Sequence, residues 1–193
     1  MTSGAPERTT FFDVWGPFDL VDDGGWITAS QERLWDDVEE RYEGLSHAIG
    51  CYMFCLQTPR RIKPWYVGMT LAQRGFRGEA FQLHKLNVYN EVIHRNGTPQ
   101  AKPVLFFFSL MTPSRRLSRA GTTGARAVRW MERYLMIAAF ARNPAIANLR
   151  DMTFLRQVEV PGLLGMKPGR PDHDVQAVRR ALFGTTRKLS SRG

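Results

Sequence analysis

The sequence predicts an α/β (α+β) fold: a small three-stranded, mostly antiparallel central sheet flanked by helices, with extensions at both ends. Three observations carry this expectation. Residues 50–70 hold two short apolar runs around a polar connection broken twice by proline. Residues 104–110, VLFFFSL, are apolar on both faces, as a central buried strand is. Helical patterns follow each of these elements, over residues 75–94 and 125–142.

The chain has 193 residues, enough for one ordinary domain with extensions, and its 43% hydrophobic content supports a real core. Three segments are expected: an acidic N-terminal extension with one helix (1–46), a central domain (47–151) and a basic C-terminal extension with a short strand and a helix (152–193). No apolar run has the length of a membrane span, and the first ten residues lack the basic-then-apolar build of a signal peptide. A soluble, cytoplasmic protein is therefore expected. Cys51 and Cys55 sit four apart on one strand, about 13 Å between α-carbons, too far for a disulfide. They read as reduced, buried thiols, and no Cys/His cluster has zinc spacing.

The net charge of +9 is unevenly placed. Residues 1–46 carry three Lys/Arg against eleven Asp/Glu, whereas the remainder carries 24 against seven. A basic body of this kind fits a phosphate-backbone partner, or a generally solvated basic surface.

Taken in order, residues 11–20 (FFDVWGPFDL) are aromatic but interrupted by Gly16-Pro17, so an irregular segment or short strand is expected. Residues 22–25 are a turn. Thr28 and Gln31 have capping-box spacing, starting a helix that runs to about Glu43 with Gly44 as its stop. Its acidic face reads as solvated, and its charge places it away from any nucleic-acid groove.

Residues 50–70 then form a hairpin, with residues 57–64 as its connection. Alternation puts Tyr52, Phe54 and Leu56 on one face and Cys51, Met53 and Cys55 on the other. Tyr66 and Gly68 likewise share a face. In a simple register both phenols lie on one side near a glycine that leaves room for a ligand, or are half-buried strand aromatics.

The helix over 75–94 places Arg77, Phe81, His84 and Val88 on one stripe. Residues 112–124 form a basic, mobile loop. In the helix over 125–142, a continuous apolar run from Tyr134 predicts that it is largely buried. Glu132 shares a side there with Val128, Arg129, Leu135, Met136 and Ala139. A carboxylate on such a face needs a partner, either a divalent cation or an arginine such as Arg129. Residues 158–162 read as a short edge strand, 174–183 as an amphipathic helix, and the basic tail as disordered.

Gly50-Cys51-Tyr52 followed by Tyr66-Val67-Gly68 resembles the signature of the GIY-YIG nuclease superfamily. An arginine on the next helix and a glutamate on a later one complete the order, so the resemblance covers about residues 48–150. It implies a GIY-YIG-like fold and a divalent-metal-dependent endonuclease acting on nucleic acid, DNA rather than RNA. The resemblance implies catalytic roles for four residues. Tyr52 is the first choice to take a proton from the attacking water, with Tyr66 positioning the water or sharing that task. Arg77 stabilises the transition-state charge, and Glu132 is the metal ligand for Mg²⁺ or Mn²⁺. Substrate contacts are implied at Gly68, Arg74 (which competes with Arg77), His84, Lys85 and Asn148.

The chain departs from the family pattern in Cys51 for isoleucine, Met69 where many members have a basic residue, a longer gap between the motifs and an offset helix arginine. These departures keep two alternatives open. One is a catalytically lapsed nucleic-acid-binding protein on the same fold; the other is an interaction protein whose acidic N-terminal helix docks on a protein partner.

Overall fold

The computed structural model of the chain describes residues 9–20, 22–148 and 173–183. The chain divides into two compact units, residues 1–148 and 149–193. The elements of the first are β1 (Phe11–Asp19), β2 (Asp22–Asp23), β3 (Trp26–Ile27), α1 (Glu32–Arg41), β4 (Gly50–Thr58), β5 (Arg61–Thr70), α2 (Gly75–Glu79), α3 (Leu83–Asn96), β6 (Lys102–Met111) and α4 (Ala125–Arg142). The second contains α5 (His173–Phe183). The strand expected over 158–162 and the basic tail lie outside the described residues.

The sheet has four strands rather than three, in the order β1-β6-β4-β5, all antiparallel. The extra strand is β1. Its Gly16-Pro17 pair, which read as an interruption, is absorbed by an irregularity in the ladder: pairing runs from Phe11↔Met111 to Trp15↔Phe107 and resumes at Phe18↔Leu105. An edge strand tolerates such a bulge because one side of its backbone needs no partner. Gly16 has φ +121°, and a Cβ there would lie 2.8 Å from the Leu105 carbonyl oxygen, so only glycine fits. Through β1, the segment expected as an N-terminal extension forms part of the central sheet.

The β4–β5 hairpin is longer than expected. The strands continue to Thr58 and restart at Arg61, leaving Pro59 and Arg60 as the turn. Pro64, read as part of the connection, lies inside β5 at a register shift opposite Cys55. On an edge strand its missing N–H breaks no interior ladder.

The face alternation holds. Tyr52, Phe54, Leu56, Leu105 and Phe107 form one face and pack against Leu34, Trp35 and Val38 of α1, Phe76 of α2 and Leu86 and Tyr89 of α3. Phe54 stacks on Tyr89 at 4.4 Å and 18°. Each such fully buried side chain stabilises by about 1.5–3 kcal/mol. Cys51 and Cys55 are buried free thiols. Cys51 donates to the Val128 carbonyl of α4 over 3.4 Å, which places α4 beside β4 and β5.

Several helix expectations change. The capping box does not form: Thr28 Oγ1 donates to the Ser30 carbonyl and Gln31 Nε2 to the Thr28 carbonyl, so α1 starts only at Glu32. At its other end the Glu39 carboxylate accepts the Gly44 and Ser46 N–H groups at 2.7 and 2.9 Å. Burial pushes Glu39 up, but hydrogen bonding from Ser46 and Gly44 outweighs it and holds the carboxyl below its ordinary range. The single helix expected over 75–94 is two helices, broken at residues 80–82. Side chains of α3 take the carbonyls that a continuous helix would use: Lys85 Nζ donates to Glu79 at 2.8 Å and Tyr89 Oη to Ala80 at 3.1 Å. The stripe joining Arg77 to His84 is therefore lost. α4 is amphipathic rather than largely buried: Val128, Leu135, Met136, Ala139 and Phe140 face inward, while Arg129, Trp130, Tyr134 and Ile137 are exposed. The loop over 112–124, expected to be mobile, is pinned at Ser118, which donates to Leu110 and accepts from Ile49.

Candidate active site

The hairpin register sets the two tyrosines. Tyr52 pairs directly with Gly68 and Phe54 with Tyr66, so both phenols lie on the helix-covered face of β4 and β5. Their rings are 6.4 Å apart at 31°. Tyr52 is wholly buried, whereas Tyr66 is partly buried. A Cβ on Gly68 would lie 2.5 Å from Tyr52 Cζ and Oη. The room that Gly68 leaves is thus filled by the Tyr52 phenol. It does not open a ligand space beside Gly68.

Lys85 enters this cluster from α3. It was expected to face a phosphate, but its side chain is 4% exposed. Its Nζ lies 5.5 Å from the centroid of the Tyr52 ring and pairs with the carboxylate of Glu79. Buried lysines need such a partner, because desolvation disfavours the charged form. Desolvation does lower the Lys85 ammonium from its ordinary value, while the Glu79 hydrogen bond and charge, with the charge of Glu132, oppose the fall.

Glu132, half-buried on α4, is close enough for its charge to act on Tyr66, Tyr52, Lys85 and Cys51. Burial is the main reason that the Tyr66 phenol is pushed up to about 12; Glu132 and Glu79 add to the rise and the Tyr52 hydroxyl eases it. Burial pushes Tyr52 well up too, followed by Tyr89, Tyr66, Glu79 and Glu132. The Tyr52 hydroxyl influences Tyr66 without meeting hydrogen-bond geometry, and among the described residues it has no hydrogen-bond partner.

Tyr52, Tyr66 and Lys85 are therefore brought together, whereas Glu132 acts on them through its charge, from the helix seated against Cys51. The other expected residues are not part of this cluster. Arg77 is bound by Glu32 of α1. Its partner thus comes from the acidic helix, which was expected to lie away from any nucleic-acid groove. Arg74 is exposed at the start of α2, and His84 is exposed on the first turn of α3, beyond the helix break. Asn148 is committed to the backbone of Val67: Oδ1 accepts the Val67 N–H at 2.8 Å and Nδ2 donates to the Val67 carbonyl at 2.6 Å. Just before it, Ala147 N–H donates to the Trp65 carbonyl and Asn143 Nδ2 to that of Pro64. This segment closes the outer edge of β5, with Asn148 engaged in edge protection.

Sequence reasoning missed Glu79 and Tyr89. Glu79 and Lys85 are six apart, a spacing that meets only if the helix breaks between them.

Among the described residues no group of three or more His, Cys, Asp or Glu side chains is placed to hold a metal. A single carboxylate still suits Mg²⁺, which keeps several waters and takes one or two protein carboxylates together with substrate phosphate oxygens. Glu132 fits that donor set. No protein-family model, curated protein or solved structure matches the chain.

Proposed function

We propose that the chain is a divalent-metal-dependent endonuclease of GIY-YIG type, hydrolysing phosphodiester bonds of nucleic acid, DNA in preference to RNA. The observation that supports this reading best is the meeting of Tyr52 and Tyr66 on one sheet face within reach of the Glu132 charge.

Exposure assigns different tasks to the two phenols. Tyr66, partly buried, is the more accessible of the two to water and a phosphate. It orients the attacking water and accepts its proton, with the Tyr52 hydroxyl behind it easing ionisation. A phenol pushed up to about 12 is protonated at neutral pH, so this step needs nearby positive charge. Lys85 lies over the Tyr52 ring but is paired with Glu79, whose charge acts on Tyr66 in the raising direction, so the positive charge has to arrive with the substrate complex. Glu132 would hold Mg²⁺ or Mn²⁺, which would supply charge neutralisation at the phosphate. Arg77 sits in an exposed pair with Glu32, of a kind worth under about 1 kcal/mol, and exchanges to a substrate phosphate at little cost.

The test is cleavage of plasmid DNA, single-stranded DNA and structured RNA with Mg²⁺ or Mn²⁺ against an EDTA control. Metal-dependent cleavage that Glu132→Ala abolishes supports the reading. Salt-sensitive binding without cleavage on any substrate replaces it with the lapsed binding protein, a reading that the complete burial of Tyr52 favours.

A further inference from the structure

On the outer surface of α4, Trp130, Tyr134 and Ile137 are 62%, 55% and 57% exposed. The Trp130 and Tyr134 rings lie 5.6 Å apart and only 6° from parallel, forming an exposed platform of stacked rings rather than scattered apolar side chains. Arg126, Arg129 and Arg133 are exposed on the same helix at spacings of three and four. At helical periodicity they form the row next to the platform, between it and Glu132. An open groove of about 470 Å³, lined by Phe12, Arg126, Trp130 and Met131 among others, borders the Trp130 end.

We infer that this face binds single-stranded nucleic acid, stacking unpaired bases on Trp130 and Tyr134 while Arg126, Arg129 and Arg133 hold the phosphates. Two features favour this occupant. An apolar partner surface would leave three desolvated guanidiniums beside the contact, whereas a single strand offers π-faces and phosphates at neighbouring positions. Duplex DNA offers phosphates but keeps its base faces stacked away. The order around α4 then places the strand's backbone on the side toward Glu132. The inference deepens the nuclease reading by naming an unpaired strand as substrate, and rests on that reading only for the cleavage of the bound strand.

Binding is measured by fluorescence anisotropy on the full chain in EDTA, so that cleavage plays no part. The probes are oligothymidylate of about 16 nucleotides and an abasic strand of equal length. Trp130→Ala and Tyr134→Ala, both at exposed positions, are checked for unchanged melting. The expected result is tighter binding of oligothymidylate than of the abasic strand. Each substitution should weaken oligothymidylate binding about ten-fold and leave abasic binding unaltered. The triple change R126Q/R129Q/R133Q should weaken both and flatten the salt dependence. Equal affinity for the two probes, or wild-type affinity in Trp130→Ala, overturns the inference. So does light scattering that shows Trp130→Ala dissociating a dimer with binding unchanged, which assigns the face to a second copy. Base-dependent binding without cleavage under any metal leaves this inference standing and removes the nuclease; cleavage with base-independent binding does the reverse.

Discussion

Tyr52 and Gly68 face each other across β4 and β5 so closely that a Cβ on Gly68 would lie 2.5 Å from the Tyr52 hydroxyl. The phenol is wholly buried and packed edge-on against Phe76 at 6.4 Å, so it has nowhere to retreat. Gly68→Ala is therefore expected to destabilise the fold by about 1–3 kcal/mol, read as a lowered melting temperature. The cost should shrink in the double variant with Tyr52→Leu, and additive costs would contradict the contact.

Tyr52→Phe should separate packing from chemistry. The hydroxyl has no hydrogen-bond partner among the described residues, so removing it should leave stability unchanged or raise it by about 1 kcal/mol. The same change removes the group that eases Tyr66. Phenolate absorbance should then show Tyr66 ionising at higher pH than in the wild type. A melting temperature well below wild type would mean that the hydroxyl is structurally engaged.

The hairpin, its face alternation and the grouping of Tyr52 with Tyr66 were legible because strand periodicity is local. The edge role of Asn148 was not, since its partner Val67 lies 81 residues away. Lys85 misled for a similar reason. A lysine on a helix pattern reads as solvated, and its burial depends on Glu79 reaching it across a helix break. That break carries no proline or glycine at residues 80–82; tertiary bonds to the Glu79 and Ala80 carbonyls make it. β1 escaped because Gly16-Pro17 ends most strands, and only the bulge against Leu105 and Phe107 preserves this one.

Asn148→Ala removes both side-chain hydrogen bonds at Val67 and leaves buried backbone groups unsatisfied. A loss of about 2 kcal/mol is expected, with faster hydrogen exchange at the Val67 amide. Oligonucleotide affinity should not change in the folded variant. A selective loss of affinity at full stability would return Asn148 to the binding surface.

Stability should fall at alkaline pH. The Tyr66 phenol is raised from 10.0 to about 12 in the folded state, and Tyr52 and Tyr89 are also raised, chiefly by burial. Burial raises the Cys51 and Cys55 thiols too, so above pH 9 the unfolded chain releases thiol protons, and above pH 10 phenol protons, that the folded chain retains; stability intact below pH 9 drains away as pH rises. Lys85 has the opposite sign. Its folded value is lowered from 10.5, so its contribution rises with pH until 10.5 is reached. The net fall should thus be clearest above pH 10.5, and Tyr66→Phe should make it shallower in denaturant titrations at stepped pH. An unchanged slope in that variant would contradict the shift.

Cleavage rates of wild type, Tyr66→Phe and Glu132→Ala, measured side by side on DNA with Mg²⁺ or Mn²⁺ and with EDTA, test the proposed site most directly. Metal-dependent cleavage by the wild type, with at least a hundred-fold loss in both folded variants, is the predicted result, in line with about 10²–10⁴-fold for a proton-transfer group. Cleavage that survives in either folded variant, or that is indifferent to EDTA, would contradict the joint assignment of Tyr66 and Glu132.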